Sequence, residues 1–195
     1  TWEPESSAAL GFGFRCGFLG LLHMDIVRER LEREFNLDIV ITSPTVEYHI
    51  IKNNGEETIV ERASDMPEAN TYREISEPWA LLEIITPKEY IGNIMDISQK
   101  KRATYKNTEY FDDGRALLKY EIPLAELIID FYDQLKTVSS GYASMNYEIL
   151  DWRQAELSKI DILIAEDKVD ALSFISFTPN AQTEARRIVE RLKEL

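Results

Sequence analysis

Trp79-Ala80-Leu81-Leu82-Glu83-Ile84-Ile85-Thr86-Pro87-Lys88-Glu89 is the stretch that decides the fold. Its first seven residues read as a strand ending at Thr86. Thr86 with Glu89 three residues on forms a capping-box pattern, and Pro87 stands at the first helical position, so the strand hands over to a helix from about Pro87 to Lys101. Thr104 to Phe111 and Ala116 to Ile122 then read as a hairpin about Asp112-Asp113-Gly114-Arg115. A helix from Leu124 to Val138, closed near Gly141, feeds a further strand. Strand, helix, strand, strand, helix, strand is the split βαβ order of a ferredoxin-like domain, which makes the fold class α+β.

Upstream, the glycine-rich run Gly11 to His23 reads as a strand turning tightly into a helix, with Gly11, Gly13, Gly17 and Gly20 tolerating close backbone approach. Leu19 to Phe35 carries Met24, Val27, Leu31 and Phe35 at helical spacing, with charged residues between them. Asp38 to Ile51 reads as a strand, Asn53-Asn54-Gly55 as a tight turn and Glu57 to Glu61 as the return strand. These expectations divide the chain into a truncated ferredoxin-like unit over 1–62, an acidic linker over 63–78 and a complete ferredoxin-like unit over 79–158. Residues 159–195 would open a further domain, with strands at Ile160 to Ala165 and Val169 to Ile175 about Glu166-Asp167, and a helix from Asn180 to Leu195. Thr1 opens in mid-strand and the last residues stop inside a helical pattern, which reads as a piece of a longer protein.

With 195 residues, 44% of them hydrophobic, the chain is long enough for one or two cores. A net charge of −13 repels polyanions at long range, so any contact with nucleic acid has to be local. One cysteine excludes an internal disulfide framework, and no apolar run approaches the roughly 18 residues of a spanning helix.

Little in the chain carries chemistry. From Gly11 the sixth position is Cys16, which breaks a dinucleotide turn, and no phosphate-loop motif occurs elsewhere. Cys16, His23 and Asp25 could be a nucleophile, base and orienter, but strand and helix spacing does not guarantee contact. Cys16 reads instead as a small buried residue, and His23 as a helix-start residue with local partners. Two histidines 26 positions apart with one cysteine make no zinc signature. The expectation is no catalytic, cofactor or metal site.

Two stretches are candidates for RNA contact. Lys100, Lys101 and Arg102 form a basic run at a helix C-terminus, readable either as complement to the helix dipole or as phosphate contacts. Ser139, Ser140, Gly141, Tyr142 and Ser144 form a small polar turn that could lie on an RNA backbone, although a helix cap alone explains Gly141. Arg15 either pairs with an acidic residue or faces a partner domain. Gly11-Phe12-Gly13-Phe14 also copies the middle of an RNA-stacking strand, although Leu10, Arg15 and Gly17 depart from that pattern.

Glu3-Pro4-Glu5-Ser6-Ser7, the run from Ala9 to Met24, Glu77-Pro78, Tyr120 to Glu126 and Ser140 to Ser144 together resemble the elongation factor 4 (LepA) family of translational GTPases, over nearly the whole chain. The resemblance implies the third and fifth domains of such a factor followed by the start of its C-terminal domain. It also implies GTP and magnesium in an N-terminal GTPase domain absent from these residues, so this stretch would not itself hydrolyse GTP. The implied partners are the ribosome, through RNA and proteins near its factor-binding site, and the factor's own GTPase domain, with no small-molecule substrate here. The implied function is action on stalled or mistranslocated ribosomes, associated with back-translocation. The implied location is the cytoplasm, with peripheral attachment to the cytoplasmic face of the membrane as a further site. On this reading Lys100, Lys101, Arg102, Ser139, Ser140 and Tyr142 are candidate ribosomal RNA contacts, and Arg15 and His23 candidate interdomain contacts. The tail departs from the family pattern at Phe177, where a histidine is expected, and at Ala185, where glycine is. Two other readings are a stand-alone RNA-binding module stacking bases on Phe12, Phe14 and Phe18, and a ligand-binding regulatory pair, since ferredoxin-like folds host many functions.

Overall fold

A computed structural model describes residues 1–7, 11–18, 21–39, 41, 45–169 and 172–193. In chain order the elements are β1 (Trp2–Ser7), β2 (Gly11–Cys16), α1 (Leu21–Phe35), β3 (Tyr48–Lys52), β4 (Glu57–Val60), β5 (Tyr72–Pro87), α2 (Ile91–Lys100), β6 (Thr104–Tyr110) and β7 (Arg115–Pro123). They continue with α3 (Leu124–Ile129), α4 (Phe131–Val138), β8 (Ser144–Gln154), β9 (Leu157–Ile160), β10 (Leu163–Ile164), β11 (Asp167–Lys168), β12 (Phe174–Phe177) and α5 (Thr178–Lys193).

The ferredoxin-like unit runs from β5 to β8. β5 pairs antiparallel with β7 and with β8, and β7 with β6, so the sheet order is β8-β5-β7-β6. β5 is central, and its residues Ala80, Leu82, Ile84 and Thr86 are fully buried every second position, as are Ala116, Leu118 and Ile122 of β7. Onto that face pack Ile94 and Ile97 of α2, Leu127 of α3, and Phe131 and Leu135 of α4, which together form the main core. The helices occupy one face of the sheet. The other face carries Lys119 paired with Glu83 and Glu109, and Glu121 paired with Lys106 and Arg153.

β5 begins at Tyr72, seven residues before the expected strand, because its first part has another partner. Tyr72–Ser76 pairs with β3, and Trp79–Pro87 pairs with β7. Pro78, which has no N–H to donate, falls where one partner gives way to the next and beside a bulge in the β8 pairing. β3 and β4, joined at Asn53-Asn54-Gly55 with Gly55 at φ 88°, therefore extend the ferredoxin-like sheet. Val46, Tyr48, Ile50, Val60, Met66, Ile75 and Leu157 make a second core there. β1 and β2 form a separate two-stranded ribbon. The strand expected over Asp38 to Ile51 is regular only from Tyr48; residues 40 and 42–44 of that span, like Gly20 of the glycine-rich run, lie outside the described residues.

Three local expectations are corrected. Thr86 does not cap a helix: the ladder runs on to Pro87 opposite Arg115, and the Thr86 hydroxyl donates to the Pro87 carbonyl at 3.3 Å. A 3₁₀ turn over Lys88–Tyr90 precedes α2 instead. The helix expected over Leu124 to Val138 breaks at Asp130 (φ −146°), whose carboxylate accepts from Lys101 Nζ at 2.6 Å and Gln134 Nε2 at 2.7 Å. In the tail, the turn falls at Ala165-Glu166, both at positive φ, one position before the expected pair. The ladder around it is interrupted, with β10 on β11 and β9 on β12.

Candidate nucleic-acid interface

α2 separates the two candidate RNA stretches. The Asn93 side-chain amide, in the first turn of α2, donates to the Val138 carbonyl at 3.4 Å, which brings the Ser139–Tyr142 turn to the N-terminal end of that helix. Lys100 closes its last turn. At 1.5 Å per residue, the seven residues from Asn93 to Lys100 set the two stretches about 10 Å apart along the helix. They are not one patch.

Of the basic run, Lys100 alone is exposed. Lys101 turns to α3 and the break after it, with its Nζ 3.7 Å from Glu126 and 2.6 Å from Asp130. Burial pushes the Glu126 carboxyl above its usual range, against the pull of Lys101 and Arg102. Arg102 adopts a left-handed backbone (φ 59°) that turns its guanidinium inward. There it forks onto both oxygens of Glu77, which is 1% exposed, and lies 4.0 Å from the centre of the Phe177 ring. Burial and the nearby Glu77 charge push the Tyr48 phenol upward as well. Lys101 and Arg102 thus tie α3 and β12 to the ferredoxin-like sheet. Sequence reasoning missed Glu77 as the anchor of Arg102, although its position in phase with buried Ile75 was the available signal.

The serine turn divides similarly. Ser139 is fully buried; its hydroxyl donates to the Leu135 carbonyl at 2.7 Å and accepts from the Ala143 amide at 3.2 Å. Ser140 (φ 51°) and Gly141 (φ 80°) make the left-handed turn that ends α4, with the Gly141 amide on the Lys136 carbonyl at 2.8 Å. That turn presents Tyr142, 70% exposed and stacked nearly parallel on Tyr90 with ring centres 6.1 Å apart.

The glycine-rich strand contributes differently. Arg15 pairs with Glu61 at the end of β4, which ties the β1–β2 ribbon to the second core. Cys16, expected to be buried, is exposed, because it sits opposite Trp2 in the two-stranded ribbon. Phe12 and Phe14 share one face with Trp2 in an edge-to-face ladder, whereas Phe18 turns to the His23 ring 5.7 Å away. The three phenylalanines therefore do not form one stacking surface. No cluster of metal-ligating side chains occurs among the described residues, and no helix among them is long and apolar enough to cross a membrane.

Residues 74–163, which frame the ferredoxin-like unit, match the family described as elongation factor G C-terminus. The whole chain is 50% identical to elongation factor 4 of Lactobacillus acidophilus, 51% to that of Acetivibrio thermocellus and 49% to that of Bacillus cereus. The chain is similar to elongation factor 4 along its whole length. The chain spans 32% of the length of these relatives.

Proposed function

We propose that this chain is the ribosome-docking part of a translational GTPase of the elongation factor 4 type, acting on stalled or mistranslocated ribosomes and associated with back-translocation. Similarity to elongation factor 4 along the entire chain carries this reading, together with the match to the elongation factor G C-terminus over the ferredoxin-like unit. GTP and magnesium belong to a GTPase domain outside these residues, and the factor works in the cytoplasm. The role of the present residues is to brace other domains and to contact the ribosome. Arg15 and His23, on the ribbon and the start of α1, are the proposed interdomain contacts. Lys100, Ser140 and Tyr142 are the proposed RNA contacts that reach solvent; Lys101, Arg102 and Ser139 serve them by holding the backbone in place.

Co-sedimentation of the purified chain with intact ribosomes across a salt series tests the reading. Salt-sensitive pelleting with ribosomes, and none with free single-stranded RNA, is the expected result. Absence of pelleting at every salt concentration would overturn docking by this chain. Lys100→Ala is the clean variant for the basic run, since replacing Lys101 or Arg102 would also break ion pairs of the fold.

A further inference from the structure

The end of the ferredoxin-like unit that carries Tyr142 holds more aromatic and basic chemistry than the serine turn alone. Tyr142 has one ring face on Tyr90 and stands 70% exposed. Beside it the end of β5 and the β6–β7 hairpin meet where the Lys88 amide donates to the Gly114 carbonyl at 3.2 Å. There Tyr110 is 64% exposed, with Lys88 Nζ 5.4 Å from its ring centre. Lys136, whose carbonyl anchors the turn, places its Nζ 4.4 Å from the Tyr132 ring.

These lysines, like Lys100 at the far end of α2, differ from the other six cations of the unit. Lys101, Arg102, Lys106, Arg115, Lys119 and Arg153 each face a carboxylate. Lys88 and Lys136 pair with none among the described residues, although the chain holds 35 acidic residues to 22 basic ones. Two uncompensated ammonium groups, Lys88 beside the exposed Tyr110 ring and Lys136 beside the half-buried Tyr132 ring, complement an anionic ligand that also has flat faces. The turn presenting Tyr142 is tied by the Gly141 amide on Lys136 and the Tyr142 amide on Ser139 at 2.9 Å, so the ring is held in place before any ligand arrives.

Resting on the ribosome reading above, we propose that this end recognises an unpaired segment of ribosomal RNA, one base stacking on the outer face of Tyr142 with Lys88 and Lys136 on the flanking phosphates. Base–aromatic stacking with tracking cations is how single strands are held without a deep groove. Glu89 and Asp112, at the same end, would repel phosphates, which restricts the strand's path to the side of the two lysines.

Three variants of the chain, Tyr142→Ala, Tyr142→Phe and the double Lys88→Ala/Lys136→Ala, would be compared with the unaltered chain in the ribosome salt series. Loss of a stacked base should weaken binding by at least about 5-fold in Tyr142→Ala, and Tyr142→Phe should stay within about 2-fold because the ring is kept. The double variant should reduce the steepness of the logarithmic salt dependence by about 1.4, from two single-strand phosphate contacts. p-Benzoylphenylalanine at position 142 should crosslink to ribosomal RNA. Equal binding by Tyr142→Ala, equal loss in Tyr142→Phe, an unchanged salt slope, or a crosslink to ribosomal protein would each overturn the stacking site. Failure of the unaltered chain to bind would instead overturn the ribosome reading on which it rests.

Discussion

Replacing Arg102 by methionine should destabilise this chain by about 3–5 kcal/mol, because it leaves a buried carboxylate without its counterion. Glu77 is 1% exposed and receives both of its ionic hydrogen bonds from one guanidinium. Methionine can cover part of the Phe177 ring but restores neither charge nor fork. The loss of stacking adds to the same direction, since a desolvated cation on an aromatic face contributes about 1–2 kcal/mol. Against a usual domain stability of about 5–15 kcal/mol, the variant should sit near the edge of folding. Urea unfolding followed by tryptophan fluorescence measures it, since Trp79 and Trp152 lie on β5 and β8. The double variant Glu77→Leu/Arg102→Met should recover most of the loss, because an apolar pair of similar volume often equals a buried ion pair. Arg102→Gly should lose about 1 kcal/mol less than Arg102→Ala, since glycine adopts φ 59° without a Cβ penalty. A loss below about 1 kcal/mol in Arg102→Met, or a double variant as unstable as the single one, would refute the reasoning.

Phe131→Ala should cost about 3–5 kcal/mol in the same unfolding assay, since its ring is fully buried between α4 and the sheet. Gly141→Ala should cost about 1–2 kcal/mol from backbone strain alone, because a Cβ there meets no atom within 4 Å at φ 80°. Glu126 binds its proton more tightly folded than unfolded, so its contribution to stability is present at low pH and is lost as pH rises through its raised pKa. Glu126→Gln should remove that fall from a pH series of urea midpoints. Glu121 has the opposite sign: Lys106 and then Arg153 hold its carboxyl below the usual range, so its contribution is lost as pH falls, and Glu121→Gln should flatten the acid limb.

The ferredoxin-like unit was legible because its signals are local. The apolar run of β5, the Asp112-Asp113-Gly114 turn and the periodicity around Phe131 each point to one element, and the strand order follows from them. Pairing across long separations left no such mark. Nothing in Tyr48–Lys52 distinguishes β2 from β5 as its partner, and only the fold places His49 opposite Ser76. The capping box failed for a related reason: the ladder to Arg115 claims Pro87, and a short-range helix signal loses to sheet pairing. Within the candidate site, the exposed turn at Tyr142 was legible from its serines and glycine. The inward turn of Arg102 depends on a residue 25 positions away, which no spacing rule reports.

That distinction between cations matters for the proposed contact with the ribosome. Residues 79–154 contain nine lysines and arginines, and a count from sequence would assign a single-strand salt slope of about −6 if all nine met phosphates. Six of the nine face carboxylates across the sheet, at the helix break, in the hairpin turn or at the junction with the tail. A phosphate contact there would have to break an existing pair, so its net release of counterions is small. Lys88, Lys100 and Lys136 remain, which limits this unit to a slope near −2. The docking proposed for so acidic a chain would therefore draw on contacts that salt does not screen, and the exposed ring of Tyr142, held on its left-handed turn, is suited to one.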